Sequence, residues 1–163
     1  MKLKIDDLRN SQDELNQRIF ALHNRSYDDS INDRLLALLT ELGELANETR
    51  CFKYWSEKEA SSTNKILEEY SDGLHFLISA GIDLDDESET IESITEFRDL
   101  TEQFLTTFEV FCNLTKHYDL DHYHKAFANY LGLADILGFE EEQLRKHYLA
   151  KNRKNHKRQD EHY

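Results

Sequence analysis

Residues 31–48, with the sequence INDRLLALLTELGELANE, carry the most regular apolar pattern in the chain. The pattern consists of leucines spaced three and four positions apart, at Leu35, Leu38, Leu42 and Leu45. Residues at this spacing share one face of an α-helix, so the pattern predicts an amphipathic helix. We expect this helix to begin at about Ile31 and to end at about Tyr54.

Five other segments show the same period, and polar or glycine-containing turns separate them. They predict helices at Ile5–His23, Lys65–Ala80, Glu89–Lys116, Leu120–Leu137 and Glu140–Arg158. We expect Gly81 to stop the helix that ends at Ala80. In the helix predicted from Glu89, apolar residues, Phe97 among them, spread over more than one face, which favours contacts on two sides.

The composition agrees with a helical chain. It contains no proline and five glycines, so few residues would interrupt a helix. We therefore predict an all-α fold in which residues 1–163 form a single helical-bundle domain of about six helices.

The charge and the cysteines limit the classes of function. The 163-residue chain has 20 Lys and Arg against 33 Asp and Glu, a formal net charge of −13, so we expect no general DNA or RNA binding. Positive charge is concentrated in residues 146–158, which permits binding of one small anion. We expect no membrane span and no signal peptide, because no apolar run is long enough. Cys51 and Cys112 lie far apart and suit reduced thiols in the cytoplasm.

Pairs of acidic residues stand out on two consecutive predicted helices. Glu41, Glu44 and Glu48 fall within an arc of roughly 60° beside the leucine stripe. Glu69 and Asp72 are one turn apart on the next helix. The pair Glu41 and Glu44 and the pair Glu69 and Asp72 can form one oxygen-rich site, and Mg²⁺ prefers carboxylate and water oxygens.

The same acids also suit less specific roles. Acids three positions apart are common on solvated helix faces, so either pair alone is weak evidence for a metal. A di-iron bundle would require Glu-x-x-His motifs, and the nearest approach is Asp72-x-x-His75.

Four segments together resemble a known family: residues 11–16 (SQDELN), 41–56 (ELGELANETRCFKYWS), 68–76 (EEYSDGLHF) and 151–159 (KNRKNHKRQ). They are similar to the dimeric dUTPases of bacteria and their phages, within the MazG-like all-α NTP pyrophosphohydrolases. Residues 83–137 match the family only loosely. The resemblance therefore does not say whether a protein partner binds through that region.

The resemblance implies an enzyme that hydrolyses dUTP to dUMP and pyrophosphate, which keeps uracil out of DNA and supplies dUMP. It implies Mg²⁺ as the cofactor, with Glu41, Glu44, Glu69 and Asp72 as its ligands. Water would attack the α-phosphate, with Glu41 and Glu44 as catalytic residues. It also implies a homodimer in the cytoplasm, encoded by a bacterium or a phage.

Phosphate-binding candidates lie in the basic C-terminal segment. Lys151, Asn155 and Arg158 share one face of the last predicted helix and can neutralise or hydrogen-bond phosphate oxygens. Lys58 is a further candidate. A solvated basic helix end is the plainer interpretation of the same pattern.

Base-binding candidates lie in the first and third helices. Gln12 and Asn16 are one turn apart, and their amides offer both a donor and an acceptor to uracil. Phe76 could stack on the base and Trp55 could wall the pocket, although both residues also suit ordinary packing. We expect His75 to be a structural histidine.

Two further functions remain open. One keeps the chemistry but changes the base, as in a pyrophosphohydrolase for dCTP or for several nucleotides. The second is a non-catalytic helical interaction protein whose acidic face binds a partner.

Overall fold

The computed structural model describes residues 1–96 and 99–162, and helices dominate this part of the chain. The helices are α1 (Asp6–His23), α2 (Ile31–Thr49), α3 (Thr63–Asp83), α4 (Leu100–Lys116), α5 (Leu120–Leu137) and α6 (Glu141–Asp160). A short 3₁₀ helix, Asp28–Ser30, precedes α2. The predicted all-α class is confirmed, whereas Phe97 lies outside the described residues.

Helix α2 ends at Thr49, so the predicted extension to Tyr54 is wrong. Arg50 adopts the left-handed conformation, with φ of 56°, and its backbone N–H donates to the Ala46 carbonyl at 3.1 Å. A left-handed residue after the last turn is a common helix end, although it usually needs glycine or asparagine. The aromatic residues that continue the apolar pattern instead form a turn.

Helix α4 begins at Leu100 and not at Glu89. The Asp99 side chain accepts from the backbone N–H of Glu102 at 3.0 Å and caps the helix start. Upstream, Thr90–Glu92 forms strand β2, which pairs antiparallel with strand β1, Lys2–Lys4. The three-residue strands are too short to show an alternating pattern in the sequence.

Helix α3 continues through Gly81 to Asp83, so Gly81 does not stop it. A Cβ atom at this position would collide with the Tyr123 hydroxyl of α5. Gly81 is therefore suited to a close approach of α3 and α5 rather than to a turn.

Helix α3 lies at the centre of the packing, against α1, α2, α5 and α6. The hydrophobic core draws buried residues from all six helices and both strands, including the fully buried rings of Tyr70, Tyr123, Tyr130 and Tyr148. Because α3 is covered on several sides, its polar side chains are held in place by neighbouring helices. Within the described residues, no helix is long and apolar enough to cross a membrane.

Candidate active site

Three acidic side chains from α2 and α3 meet at one point. Glu41, Glu69 and Asp72 each place a carboxylate oxygen within 4.8 Å of the others. Glu69 is buried, and Glu41 and Asp72 are half-buried. Helix packing thus brings Glu41, which lies beside the leucine stripe of α2, to the predicted pair Glu69 and Asp72 of α3.

Glu44 and Glu48 lie outside this acidic trio. Glu44 is exposed, one turn beyond Glu41, yet close enough for its charge to affect that residue. The Glu48 carboxylate accepts from the Ser61 hydroxyl and ties the end of α2 to the loop before α3.

The environment of Glu41 and Asp72 disfavours their ionisation. Burial is the main cause that raises the pKa of the Glu41 carboxyl to about 7. Neighbouring negative charges add to this rise, namely those of Asp72, Glu44 and Glu69. Burial also raises the pKa of Asp72, although its hydrogen bond from Lys151 opposes the shift. Like charges held together in this way favour binding of a cation.

Two lysines contact the acidic trio. The Lys151 ammonium group lies 2.7 Å from Asp72 Oδ2 and 3.4 Å from Glu68 Oε1, and its side chain is 9% exposed. Lys65 pairs with Glu69 one turn away on α3. These ammonium groups supply part of the positive charge that three adjacent carboxylates require.

The donor set fits a hard divalent cation. Glu41 Oε2 is buried and, among the described residues, has no hydrogen-bond partner. A buried carboxylate oxygen without a partner is costly, and a metal ion is one group that would satisfy it. Mg²⁺ takes oxygen ligands and usually keeps several waters, so three carboxylates at the wall of a cavity suit it.

A cavity of about 480 Å³ opens beside the acidic trio. Glu41 and Asp72 line one part of it, and Asn155 and Arg158 of α6 line another. Arg158 donates to Asn155 Oδ1 at 3.3 Å, and Lys151 reaches Asp72 from the same helix. The structure therefore brings three of the four predicted phosphate-binding residues to the neighbourhood of the acids.

The amide pair lines the same cavity. Gln12 and Asn16 are 3% and 7% exposed, and Gln12 Nε2 donates to Asn16 Oδ1 at 2.9 Å. Phe76 and His75 also line the cavity, and His75 Nδ1 lies 2.6 Å from Gln12 Oε1. Burial lowers the pKa of His75 to about 3, so its ring is neutral.

Two predicted residues lie away from this cavity. Lys58 is exposed in the loop between α2 and α3, where its carbonyl accepts from Arg50. Trp55 is 64% exposed, packs edge-on against Tyr54 and Phe52, and does not line the cavity.

Several residues of the site were not found from the sequence. Lys65 showed only as a lysine four positions before Glu69, a spacing that could have suggested an ion pair. Asp13 lies inside the segment that resembles the family, but Tyr27, Ser79 and Tyr148 gave no signal, because tertiary packing alone brings them to the amides.

Comparison with known proteins assigns the chain to a family. A search of curated proteins found no match to the chain. The family model described as dUTPase matches residues 4–163, nearly the whole chain, including the acidic trio, the amide pair and the basic face of α6. The chain therefore belongs to the dUTPase family, whose activity is the hydrolysis of dUTP.

Proposed function

We propose that this enzyme cleaves dUTP to dUMP and pyrophosphate by attack of water on the α-phosphorus, with Mg²⁺ held by Glu41, Glu44, Glu69 and Asp72. The observation that carries this proposal is the trio of carboxylates within 4.8 Å at the wall of a cavity. The buried oxygen of Glu41, which has no hydrogen-bond partner in the described part of the chain, supports it. Glu44 would join as the fourth ligand from the exposed side.

A bound Mg²⁺ would neutralise triphosphate charge and make a nearby water more acidic. The chain supplies the acceptor for the water proton. Glu41 is our choice for it, because its carboxylate lies at the wall of the cavity beside the other proposed metal ligands, and Glu44 can assist. The oxygen of the water then forms a bond to the α-phosphorus, and the bond from that phosphorus to the bridging oxygen breaks as pyrophosphate leaves.

Residues of α6 would bind the phosphates. Lys151 would exchange Asp72 for a phosphate oxygen, and Arg158 would supply a forked donor to the same group. Asn155 lies between them and can donate one hydrogen bond. Lys58 would join only through a movement of its exposed loop.

The base would lie against α1 and α3. Gln12 and Asn16 are buried and offer polar groups to the cavity, and the ring of Phe76 can stack on a pyrimidine. Discrimination in such a site arises because a wrong base leaves buried polar groups unpaired.

We further propose a cytoplasmic homodimer, encoded by a bacterium or a phage. Cys51 and Cys112 are both unpaired thiols, which suits a reducing compartment. Exposed leucines on α2 and α4 suit an interface between two copies of the chain.

The test of the chemistry is pyrophosphate release from dUTP, dCTP, dTTP and UTP, with Mg²⁺ or with EDTA. We expect rapid, magnesium-dependent cleavage of dUTP alone. Glu41→Gln and Asp72→Asn should each lower the rate by more than about 100-fold. This loss exceeds the usual effect of changing a residue that only hydrogen-bonds to a metal ligand.

Glu14→Gln is the matched control, because Glu14 is exposed on α1 and loses the same charge. It should keep the wild-type rate. Preference for dCTP would contradict the uracil assignment while keeping the metal site. Full activity in EDTA would contradict the magnesium site.

A further inference from the structure

A line of side-chain hydrogen bonds extends from the surface of α1 to the amide pair. The Tyr27 hydroxyl donates to Asp13 Oδ1 at 2.9 Å and accepts from Asn16 Nδ2 at 2.9 Å. Asn16 Oδ1 in turn accepts from Gln12 Nε2 at 2.9 Å. Four side chains are thus joined in series, and two of them line the cavity.

At the Gln12 end of this series, the neighbouring side chains can act either as hydrogen-bond donors or as acceptors. Gln12 Oε1 lies 2.6 Å from His75 Nδ1 and 2.6 Å from the Tyr148 hydroxyl. A neutral imidazole can carry its proton on either nitrogen, and a hydroxyl both donates and accepts. Tyr148 also has the Leu8 carbonyl as a second acceptor at 3.4 Å. His75 and Tyr148 would therefore tolerate either orientation of the Gln12 amide.

Asp13 differs from these groups because an ionised carboxylate only accepts hydrogen bonds. Tyr27 must therefore donate its single proton to Asp13, so its oxygen is left to accept from Asn16. The NH₂ group of Asn16 then faces Tyr27, and its carbonyl oxygen faces Gln12. The direction of every bond in the series follows from the carboxylate at its outer end.

Counting donors and acceptors shows what remains for a ligand. Asn16 uses both N–H groups, on the Tyr27 and Ser79 hydroxyls, and Gln12 Oε1 accepts twice. Among the described residues, no hydrogen bond uses the second N–H of Gln12 or the second lone pair of Asn16 Oδ1. The amide pair thus offers one donor beside one acceptor, in a fixed order.

We propose that Asp13 and Tyr27 are positioning residues that fix the order of this donor and acceptor, and so select uracil over cytosine. The inference rests on the proposed base site. Uracil, with O4 toward Gln12 and N3–H toward Asn16, matches both groups. Cytosine in the same position would set its amino group against the Gln12 N–H and its N3 lone pair against Asn16 Oδ1.

The test compares kcat/KM for dUTP and dCTP in variants of the whole enzyme. Asp13→Asn keeps the size but can donate to Tyr27, which lets the series reverse. Tyr27→Phe cuts the series, and Asn16 can then turn, because the Ser79 hydroxyl both donates and accepts. We expect each change to lower the dUTP-to-dCTP ratio by at least about tenfold, the order of effect of one mispaired buried polar group.

Three comparisons decide the outcome. Gln12→Ala tests the base site itself, and an unchanged kcat/KM for dUTP would contradict that site. If Gln12→Ala lowers kcat/KM but both positioning variants, folded by circular dichroism, keep the wild-type ratio, the positioning role is overturned. Glu14→Gln, one residue beyond Asp13 and exposed, should keep the wild-type ratio and exclude an effect of charge alone.

Discussion

At the scale of single residues, the Glu41 carboxylate, which we propose as a metal ligand, lowers the stability of the metal-free protein when it is ionised. Its pKa is raised from an ordinary value of 4.5 to about 7, mainly by burial. The folded protein therefore takes up a proton that the unfolded chain does not hold between these pH values. It follows that stability of the metal-free protein falls as pH rises from about 4.5 to about 7.

We predict that Glu41→Gln raises the melting temperature of the metal-free protein at pH 8. The amide has no charge to desolvate and does not repel the other carboxylates. The gain should disappear near pH 4.5, where Glu41 is protonated in the folded protein. Thermal melts in EDTA across this range measure the difference, with Glu14→Gln as the control for charge; an equal gain at every pH would contradict the argument.

The sequence predicted that the carboxylates of the acidic trio share a site, but it did not predict which side chains from other parts of the chain contact the site. Helical period alone puts Glu69 and Asp72 on one face of α3, and the adjacent leucines direct Glu41 toward the same contact. No helical period encodes the approach of Lys151 to Asp72, which joins two helices far apart in the chain. Nor does one encode the contact of Tyr27 with Asn16, because Tyr27 lies in the turn that follows α1. The metal role of the acids stays a proposal.

At the scale of elements, helix bodies were predicted more closely than helix ends. The leucine pattern located α2, but its end depends on the left-handed backbone of Arg50, a residue type that rarely adopts it. The start of α4 depends on the Asp99 cap and on the pairing of β1 with β2. That pairing joins segments about ninety positions apart, so no local pattern reveals it.

Replacement by alanine should have opposite effects on stability at two glycines that lie on neighbouring helices. Gly43 lies inside α2 with open space around it, so Gly43→Ala should stabilise the protein by about 0.5–1 kcal/mol through helix propensity. Gly73 lies inside α3, where a Cβ atom would collide with the Tyr130 hydroxyl. Gly73→Ala should therefore destabilise, since overpacking costs about 1–3 kcal/mol and outweighs the same propensity gain.

Urea unfolding followed by circular dichroism measures both changes. Tyr130 cannot move aside freely, because its ring is fully buried and its hydroxyl donates to the Tyr70 carbonyl at 2.8 Å. Stabilisation by Gly73→Ala equal to that by Gly43→Ala would show that the α3–α5 contact is looser than this packing indicates.

At the scale of the whole molecule, the described surface leaves apolar side chains exposed on two helices that pack together. Leu36 of α2 and Leu105 of α4 are each 66% exposed. Phe108 and Cys112 lie one and two turns beyond Leu105, on its side of α4. Single exposed leucines are ordinary, but a set on adjacent helices is typical of a covered interface.

We predict that the chain forms a homodimer through this surface. Sedimentation equilibrium at micromolar concentration should give twice the 19.3 kDa mass of one chain. Leu105→Glu should shift the mass toward the monomer, because a buried, unpaired charge opposes association. Leu22→Glu on α1 is the control, since Leu22 is also exposed, at 49%, but lies on a different helix. A wild-type mass of one chain would contradict the dimer. Equal dissociation by both substitutions would show that the interface is not specific to this surface.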